Sequence, residues 1–278
     1  MLVTPDQKHF FDDNGYVVLE HLFSADEVQF YRDHFMRLRE AGTYPGDDAG
    51  INATSTDPLR RYPRMIHMHR WDDVSLRWLL DSRLKEALTT LSGVEPFAVQ
   101  TMLYFKPPKA RGQALHQDNY YLRAQPGTCL AAWLALDPCD EQNGCLEIVP
   151  GSHTWPILCA AQADTTQSFT DVTVDVPPGH EVRPIVMDAG SVMFFNGALV
   201  HGSKPNVTTD RFRRALIGHY VEGNAREVYR WYHPALRMDG TIIGLEESDS
   251  GSQCGIWVDD QQQFALTDAK QPFPAKSE

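Results

Sequence analysis

The sequence FAVQTMLYF, residues 97–105, is the first of a series of short runs rich in β-branched and aromatic residues. Six similar runs follow, each bounded by turn residues: TCLAAWLAL (128–136), CLEIV (145–149), EVRPIVM (181–187), SVMFF (191–195), RRALIGHYV (213–221) and EVYRWYH (227–233). Helical patterns come before residue 97 and strand patterns after it. This order favours an α+β domain whose core is an antiparallel sandwich or barrel.

The N-terminal part of the sequence contains residues that commonly begin α-helices. Thr4 and Pro5 are typical of an N-cap followed by proline at the first helical position, and this helix should end at Asn14-Gly15. Ser24, with a glutamate three residues later, predicts a capping box that opens a helix ending at Gly42.

Two further segments complete the N-terminal region. Residues 43–64 are rich in Gly, Pro, Asp and Thr and predict a long loop. Residues 74–93, VSLRWLLDSRLKEALTTLSG, have the apolar period of a helix. No repeat or linker divides the chain, so residues 1–278 are interpreted as a single domain. It has a helical flank at about 1–95, a core at about 96–235 and a C-terminal extension at 236–278.

Composition excludes several classes of protein. The net charge is −12 over 278 residues, and a field of that sign disfavours nucleic acid and anionic membrane surfaces as partners. The five cysteines lack paired close spacing, so we expect reduced thiols in a core. The N-terminus has no signal-peptide pattern, and no apolar run reaches the length of a membrane span. These features together predict a cytoplasmic protein.

Residues 114–121, ALHQDNYY, hold an imidazole and a carboxylate one residue apart. Residues i and i+2 of a strand point to the same side, so His116 and Asp118 are predicted to face one metal ion. His201, after a strand-like run and a turn, is the proposed third ligand. Two histidines and a carboxylate form the facial triad of non-heme Fe(II) oxygenases, although zinc could use the same set for hydrolysis. His67 and His69 form a competing pair, disfavoured by the arginines beside them.

An Fe(II) oxygenase of this kind commonly needs 2-oxoglutarate, whose distal carboxylate favours an arginine fork. The sequence after His201 offers Arg211, Arg213 and Arg214, together with the hydroxyl of Ser203. Alternation with apolar residues does not choose between Arg213 and Arg214.

The motifs TMLYFKPP, LHQDNYY, LAAWLAL, QNGCLEIVPGSH, HGSKPN and FRRALIGHY, in this order, resemble the phytanoyl-CoA dioxygenase family of Fe(II)/2-oxoglutarate oxygenases. The resemblance covers about residues 99–220. It implies a double-stranded β-helix (a cupin-like jelly roll) flanked by N-terminal helices. It also implies Fe(II) bound by His116, Asp118 and His201, with 2-oxoglutarate and O2 as co-substrates.

The resemblance further implies which residues hold 2-oxoglutarate. It selects Arg213 for the distal carboxylate, and Met102 and Trp133 match family positions that line the co-substrate. Tyr104 alternates onto the strand face of Met102 and is added to this group. Some relatives carry an upstream basic residue that reaches 2-oxoglutarate. The similar region here, RMIHMHRW (64–71), has no lysine, so either a histidine substitutes or the contact is missing.

The substrate is predicted from residues near the ligand pair. Candidate substrate contacts are Asn119, Tyr120, Tyr121, Arg64, His67, His69 and Arg70. Arginines in an otherwise acidic chain suggest an anionic group, and aromatic residues could cage an ammonium. The predicted reaction is therefore hydroxylation of a small anionic or zwitterionic molecule, for instance an aminophosphonate. An acyl-CoA thioester is the family alternative, and a zinc hydrolase or a non-catalytic binding module are alternatives of other classes. Asp118 disfavours a halogenase, because relatives that halogenate lack this carboxylate.

Overall fold

The computed structural model describes residues 2–42, 44–45, 50–248, 253–258 and 263–267. The α-helices of this part of the chain are α1 (Pro5–Asn14), α2 (Ala25–Glu40), α3 (Pro58–Arg61), α4 (Asp73–Leu79), α5 (Ser82–Ser92) and α6 (Asn119–Leu122). The first eight strands are β1 (Tyr16–Leu19), β2 (Met65–Ile66), β3 (Phe97–Tyr104), β4 (Gln113–His116), β5 (Cys129–Ala135), β6 (Leu146–Ile148), β7 (Ala161–Gln162) and β8 (Val172–Thr173).

The remaining strands are β9 (Arg183–Ile185), β10 (Val192–Asn196), β11 (His201–Ser203), β12 (Ala215–Val221), β13 (Glu227–Val228), β14 (Ala235–Leu236), β15 (Ile242–Ile243), β16 (Glu246–Glu247), β17 (Gly255–Val258) and β18 (Gln263–Leu266).

Two antiparallel sheets form the core, and the fold is a double-stranded β-helix. The larger sheet has the order β1-β10-β5-β12-β3-β14-β15, with β2 also paired to β3, and the smaller has the order β4-β11-β6-β9. The inward faces of the two sheets meet in one apolar cluster. Trp133 and Ile217 of the larger sheet pack there with Ile148 and Ile185 of the smaller one. Because side chains alternate along each strand, the opposite face of the larger sheet is available to the helices.

The helices cover that outer face. Trp78 and Leu88 of the helical flank pack in one buried cluster with Leu134, Phe194 and Leu216 of the larger sheet. Burying apolar surface on both sides stabilises the larger sheet at roughly 25 cal/mol per Å² removed from water.

Local chemistry places the first two helices. Ser24 forms the expected capping box, and Thr4 is the expected N-cap and forms a capping box as well. Gly15 ends α1 with a left-handed φ of 80°. The second helix ends at Glu40 with Ala41 as its C-cap, slightly before the predicted Gly42.

The single helix predicted over residues 74–93 is wrong. The segment forms two helices, α4 and α5, because the Asp81 side chain accepts a hydrogen bond from the Arg83 backbone and starts a new helix. The predicted loop at 43–64 contains the short helix α3, while residues 43 and 46–49 lie outside the described residues. The run at 227–233 is a strand only at Glu227–Val228, followed by a 3-10 turn.

The expectation that all five cysteines are reduced thiols is wrong for two of them. Cys159 and Cys254 form a disulfide with a Cα–Cα distance of 4.8 Å, whereas Cys129, Cys139 and Cys145 are free and buried. The two cysteines are 95 residues apart in sequence, so no local spacing motif predicted the disulfide. The bond joins the segment before β7 to the C-terminal hairpin β17–β18.

Among the described residues, no helix is both long and apolar enough to cross a membrane.

Candidate metal centre and co-substrate pocket

The pairing of β4 with β11 builds the centre. His116 is the last residue of β4 and His201 the first of β11, and the two are direct partners in the antiparallel ladder. Asp118 lies two residues after the end of the strand, at the N-cap of α6, with helical φ and ψ of −62° and −35°. The strand alternation used to place Asp118 is therefore not what orients it. The turn from β4 into α6 directs the Asp118 carboxylate toward the two histidines.

The three side chains converge on one point. His116, Asp118 and His201 are buried, and one ligand atom from each lies within 4.8 Å of the others. Oδ1 of Asp118 is 3.4 Å from Nε2 of His116 and 3.6 Å from Nε2 of His201. Two imidazole nitrogens and one carboxylate oxygen at this spacing can occupy one face of an octahedral metal ion.

The hydrogen bonds of the histidines suit metal binding. Nδ1 of His116 is 2.9 Å from the carbonyl oxygen of Ala114, and Nδ1 of His201 is 3.0 Å from that of Leu199. A backbone carbonyl can only accept, so Nδ1 carries the proton and Nε2 presents its lone pair. Burial, together with the nearby His116, lowers the pKa of His201 to about 4, which keeps this imidazole neutral at neutral pH.

His219 is a site residue that the sequence interpretation did not assign. Its Nε2 lies 3.1 Å from Oδ2 of Asp118, on the side of the carboxylate away from the two histidines. Burial alone would raise the pKa of Asp118. The interactions with His201 and His219 outweigh this effect and hold the pKa of Asp118 well below its usual value. The period-two pattern Arg213, Ala215, Ile217, His219 could have revealed it, because those residues share one strand face.

Gln117 lies between His116 and Asp118 in sequence, but its side chain does not face the metal centre. Its amide nitrogen donates to the carbonyl of Ala198 at 2.8 Å, and its oxygen accepts from the backbone of Leu158 at 2.7 Å. These contacts fasten the ligand turn to two neighbouring loops, so the turn is supported independently of any bound ion.

A second buried group lies two residues before the start of β12. Arg213 is 3% exposed, and its Nε donates to the carbonyl of Gly144 at 3.1 Å. Its guanidinium carbon is 5.2 Å from the ring centre of Trp133. Burial lowers the pKa of Arg213, yet a guanidinium stays protonated in proteins. A buried cation of this kind is a candidate site for a carboxylate.

Lys106, from the quoted motif TMLYFKPP, was not singled out and lies in the same pocket. Its Nζ donates to Ser203 Oγ at 2.8 Å, to the Gly144 carbonyl at 3.0 Å and to the Lys204 carbonyl at 2.5 Å. Burial, and then the charge of Arg213, lowers the pKa of Lys106, whereas the three acceptors around Nζ match the three N–H donors of the ammonium form. Nothing local in the sequence distinguishes this lysine from exposed ones.

The structure separates the three candidate arginines. Arg211 pairs with Asp140 at 2.6 Å on the surface, and Arg214 pairs with Asp137 at 2.7 Å. Arg213 makes no ion pair among the described residues. It is therefore the one of the three that can accept an external carboxylate, as the family resemblance implied.

The predicted lining residues lie on β3 and β5, the two strands that pair with β12. Trp133 contributes the ring beside Arg213, while Met102 and Tyr104 are partly buried against the cluster between the sheets. The hydroxyl of Tyr104 lies 3.4 Å from a guanidinium nitrogen of Arg64. Tyr104 therefore stands between the Arg213 pocket and the Arg64 side of the centre.

A cleft opens beside His116. Its walls include Tyr120, Tyr121, Leu158 and the β8 strand. The ring of Tyr121 is 6.1 Å from that of His116, in edge-on contact. The predicted contact Asn119 is used internally instead, because its side-chain oxygen accepts from the backbone of Ala124 at 3.0 Å.

The basic segment 64–70 divides between two places. The half-buried Arg64 lies over the ring of Phe169 at 5.6 Å, near the cleft. The ring centres of His67 and Tyr232 are 6.2 Å apart. Burial together with Arg70 lowers the pKa of His67 to about 3.

The other two residues of that segment are held by protein groups. Nδ1 of His69 lies 3.0 Å from the hydroxyl of Thr101, and burial followed by Arg70 lowers the pKa of His69 to about 4. Arg70 is not brought to the centre, since it donates to the carbonyls of Trp231 and His233 at 2.8 Å each.

A jelly roll that carries two histidines and an aspartate beside a buried arginine is the arrangement of the Fe(II)/2-oxoglutarate oxygenases. The model of the phytanoyl-CoA dioxygenase (PhyH) family matches residues 11–215, and the chain belongs to this family. It is a 2-oxoglutarate-dependent dioxygenase with Fe(II) as cofactor and 2-oxoglutarate and O2 as co-substrates.

Two relatives and one solved structure illustrate the similarity. The peroxisomal phytanoyl-CoA dioxygenase of Rattus norvegicus is 28% identical over 276 residues, covering 93% of this chain and 80% of its own. The ectoine dioxygenase of Sphingopyxis alaskensis is 27% identical over 245 residues, covering 81% and 78%. The crystal structure of EctD from S. alaskensis with 2-oxoglutarate and 5-hydroxyectoine is 27% identical with a TM-score of 0.63, covering 81% and 78%.

Proposed function

We propose that the protein hydroxylates a C–H bond of a small anionic or zwitterionic molecule, with Fe(II) held by His116, Asp118 and His201. The observation that carries this assignment is the convergence of three buried ligand atoms within 4.8 Å, next to a pocket with a buried guanidinium. In this assignment Arg213 and Ser203 bind the distal carboxylate of 2-oxoglutarate.

The chain's own residues prepare the reaction. Bound Fe(II) supplies the oxidising chemistry, which couples decarboxylation of 2-oxoglutarate to hydroxylation of substrate by O2. The carbonyls of Ala114 and Leu199 keep both histidines in the ligating tautomer. Arg213 orients the co-substrate, and Trp133 shields that end from water. Positioning of this kind decides which C–H bond reacts.

The substrate is proposed to bind in the cleft beside His116. Arg64 supplies a positive charge next to Tyr104 and Phe169, which suits a carboxylate or phosphonate. Tyr121 supplies an aromatic face close to the metal ligands that could receive an ammonium. His67, kept neutral by burial, and the half-buried Tyr120 complete the proposed polar contacts. A small aminophosphonate has both charges and is the leading candidate.

The co-substrate assignment is tested first, without oxygen. Fe(II) and 2-oxoglutarate are added to the purified protein, and the weak visible charge-transfer band is recorded. We expect the band in the wild type and its loss in Asp118→Ala and Arg213→Ala, with an unchanged band in the surface variant Arg211→Ala. A wild-type protein that binds iron without producing the band would contradict the assignment and favour a zinc hydrolase or a binding module.

The substrate class is tested by succinate release in air. An aminophosphonate, a simple carboxylate and an acyl-CoA are compared, each with and without 2-oxoglutarate. Arg64→Met should raise the substrate KM about tenfold or more, since a charge-assisted hydrogen bond contributes about 1.5–3 kcal/mol. Arg61→Met, on the exposed end of α3, is the matched control. An unchanged KM in Arg64→Met, or a reaction with the acyl-CoA alone, would exclude the proposed class.

Small molecules are the proposed partners. The net charge of −12 supports this, because it disfavours binding to nucleic acid and to anionic membranes. The cytoplasmic location stays a prediction, and the Cys159–Cys254 disulfide is a bond more typical of oxidising compartments.

A further inference from the structure

Lys106 occupies a position that a lysine rarely takes. It is 3% exposed and its backbone φ is +35°, in the left-handed region that L side chains disfavour. Its backbone carbonyl accepts hydrogen bonds from the Arg213 backbone and the Asn206 side chain, both at 3.1 Å. The residue is therefore fixed at both its backbone and its ammonium end, directly beside Arg213.

The ammonium of Lys106 is saturated by protein groups. An ammonium has three N–H donors, and the three acceptors are Ser203 Oγ and the carbonyls of Gly144 and Lys204. Lys106 thus has no donor left for a ligand. Any influence it has on the co-substrate must pass through one of its partners or through its charge.

Ser203 is the partner that can transmit this influence. A hydroxyl has two acceptor sites and one hydrogen to donate. Its oxygen accepts from Lys106 Nζ at 2.8 Å and from the Gln113 backbone at 3.4 Å. No described residue accepts the Ser203 hydrogen. With its acceptor sites occupied, the hydroxyl is set to donate into the pocket that it shares with Arg213.

The Gly144 carbonyl holds the two cations together. It accepts both from Lys106 Nζ at 3.0 Å and from Arg213 Nε at 3.1 Å. Neither cation forms an ion pair in the part of the chain that the structure describes. Two buried positive groups joined by one neutral carbonyl favour an anion at the same place.

We propose that Lys106 is a positioning residue of the co-substrate pocket, directing the Ser203 hydroxyl hydrogen and adding a second positive charge for the distal carboxylate of 2-oxoglutarate. The inference rests on the proposed function, in which Ser203 and Arg213 bind that carboxylate. It also supplies a lysine, which the segment at 64–71 lacks.

The test compares two co-substrates with the same carbon chain. 2-Oxopentanoate has the metal-chelating end of 2-oxoglutarate but ends in a methyl group. Their affinities for the Fe(II)-loaded protein are measured without oxygen, by titration of the charge-transfer band or by calorimetry. We expect Lys106→Met to weaken 2-oxoglutarate binding about 10- to 100-fold and to leave 2-oxopentanoate and Fe(II) binding unchanged.

Two more variants keep the test decisive. Lys109→Met removes an exposed lysine of the same loop, whose Nζ contacts only the Val207 carbonyl among described residues, and should behave as wild type. Ser203→Ala removes the intermediary without touching the buried charge, so it should also reduce the preference for 2-oxoglutarate. It serves as the test if Lys106→Met does not fold.

The outcomes separate the two proposals. If the wild type has no preference for 2-oxoglutarate over 2-oxopentanoate, the co-substrate pocket itself is wrongly assigned. If the wild type has the preference and both Lys106→Met and Ser203→Ala keep it, the positioning role is wrong. Equal weakening of both acids and of Fe(II) in a folded Lys106→Met protein would mean that Lys106 is merely structural, and would also overturn the inference.

Discussion

Replacing His219 with leucine should weaken metal binding without removing a ligand. Oδ1 of Asp118 faces His116 and His201, and Oδ2 lies 3.1 Å from Nε2 of His219. His219 therefore fixes the rotation of the carboxylate. Without it, the buried carboxylate loses a partner and can turn away from the histidines.

The magnitude follows from that one hydrogen bond. A bond to an ionised group contributes about 1.5–3 kcal/mol, and each 1.4 kcal/mol is about a tenfold change in affinity. Loss of an outer-shell partner typically costs about 10- to 100-fold in metal affinity. We expect His219→Leu to fall in this range, and His219→Gln, which keeps an N–H donor, to lie between it and the wild type.

The assay is anaerobic calorimetric titration with Fe(II), or with Co(II) as an oxygen-stable substitute. His9→Leu is the matched control, because His9 also lies near an aspartate, Asp13, at 3.4 Å, but on an exposed helix face. If folded His219→Leu binds the metal as tightly as the wild type and His9→Leu, the carboxylate does not need this support and the reasoning is refuted.

Three further predictions concern stability and the pocket. Gly144→Ala should destabilise the fold by about 1–3 kcal/mol in chemical denaturation and weaken 2-oxoglutarate binding, since φ is +75° and the added carbon would lie 2.4 Å from a backbone carbonyl oxygen; an unchanged midpoint would contradict this. Reducing the Cys159–Cys254 bond should lower unfolding free energy by about 2–4 kcal/mol, checked by denaturation with and without reductant and with Cys254→Ser, which should be insensitive to reductant. Glu27, bound to Arg83, has its pKa lowered from 4.5 to about 2, so its contribution to stability is present above pH 4.5 and is lost as pH falls toward 2. Glu27→Gln should flatten that part of the stability curve, and an identical slope would refute the linkage.

Helix starts were predictable because capping is local. Thr4 and Ser24 each bond to a backbone N–H three residues away, within the range that a sequence pattern can describe. Asp81 caps its helix just as locally, through the backbone N–H two residues away, yet the apolar period running through it predicted one helix where the chain forms two. The competing local cap prevailed there over periodicity.

The sequence predicted which residues form the metal centre better than it predicted how they are oriented. The family motifs brought forward His116, Asp118 and His201, and the structure places them together. The alternation argument failed for Asp118, because the strand ends at His116. Lys106 was missed because its hydrogen-bond partners lie far along the chain. Its burial distinguishes it from other lysines, but burial cannot be read from the local sequence.

The ladder between β4 and β11 also governs when the centre can exist. His116 and His201 become neighbours only after strands distant in sequence have paired, with much of the larger sheet encoded between and beyond them. Loop-closure entropy must be overcome before these contacts form. During synthesis an arriving ion would meet one imidazole and one carboxylate, too few to hold it. The full set of three ligands is therefore present only once β4 and β11 have paired.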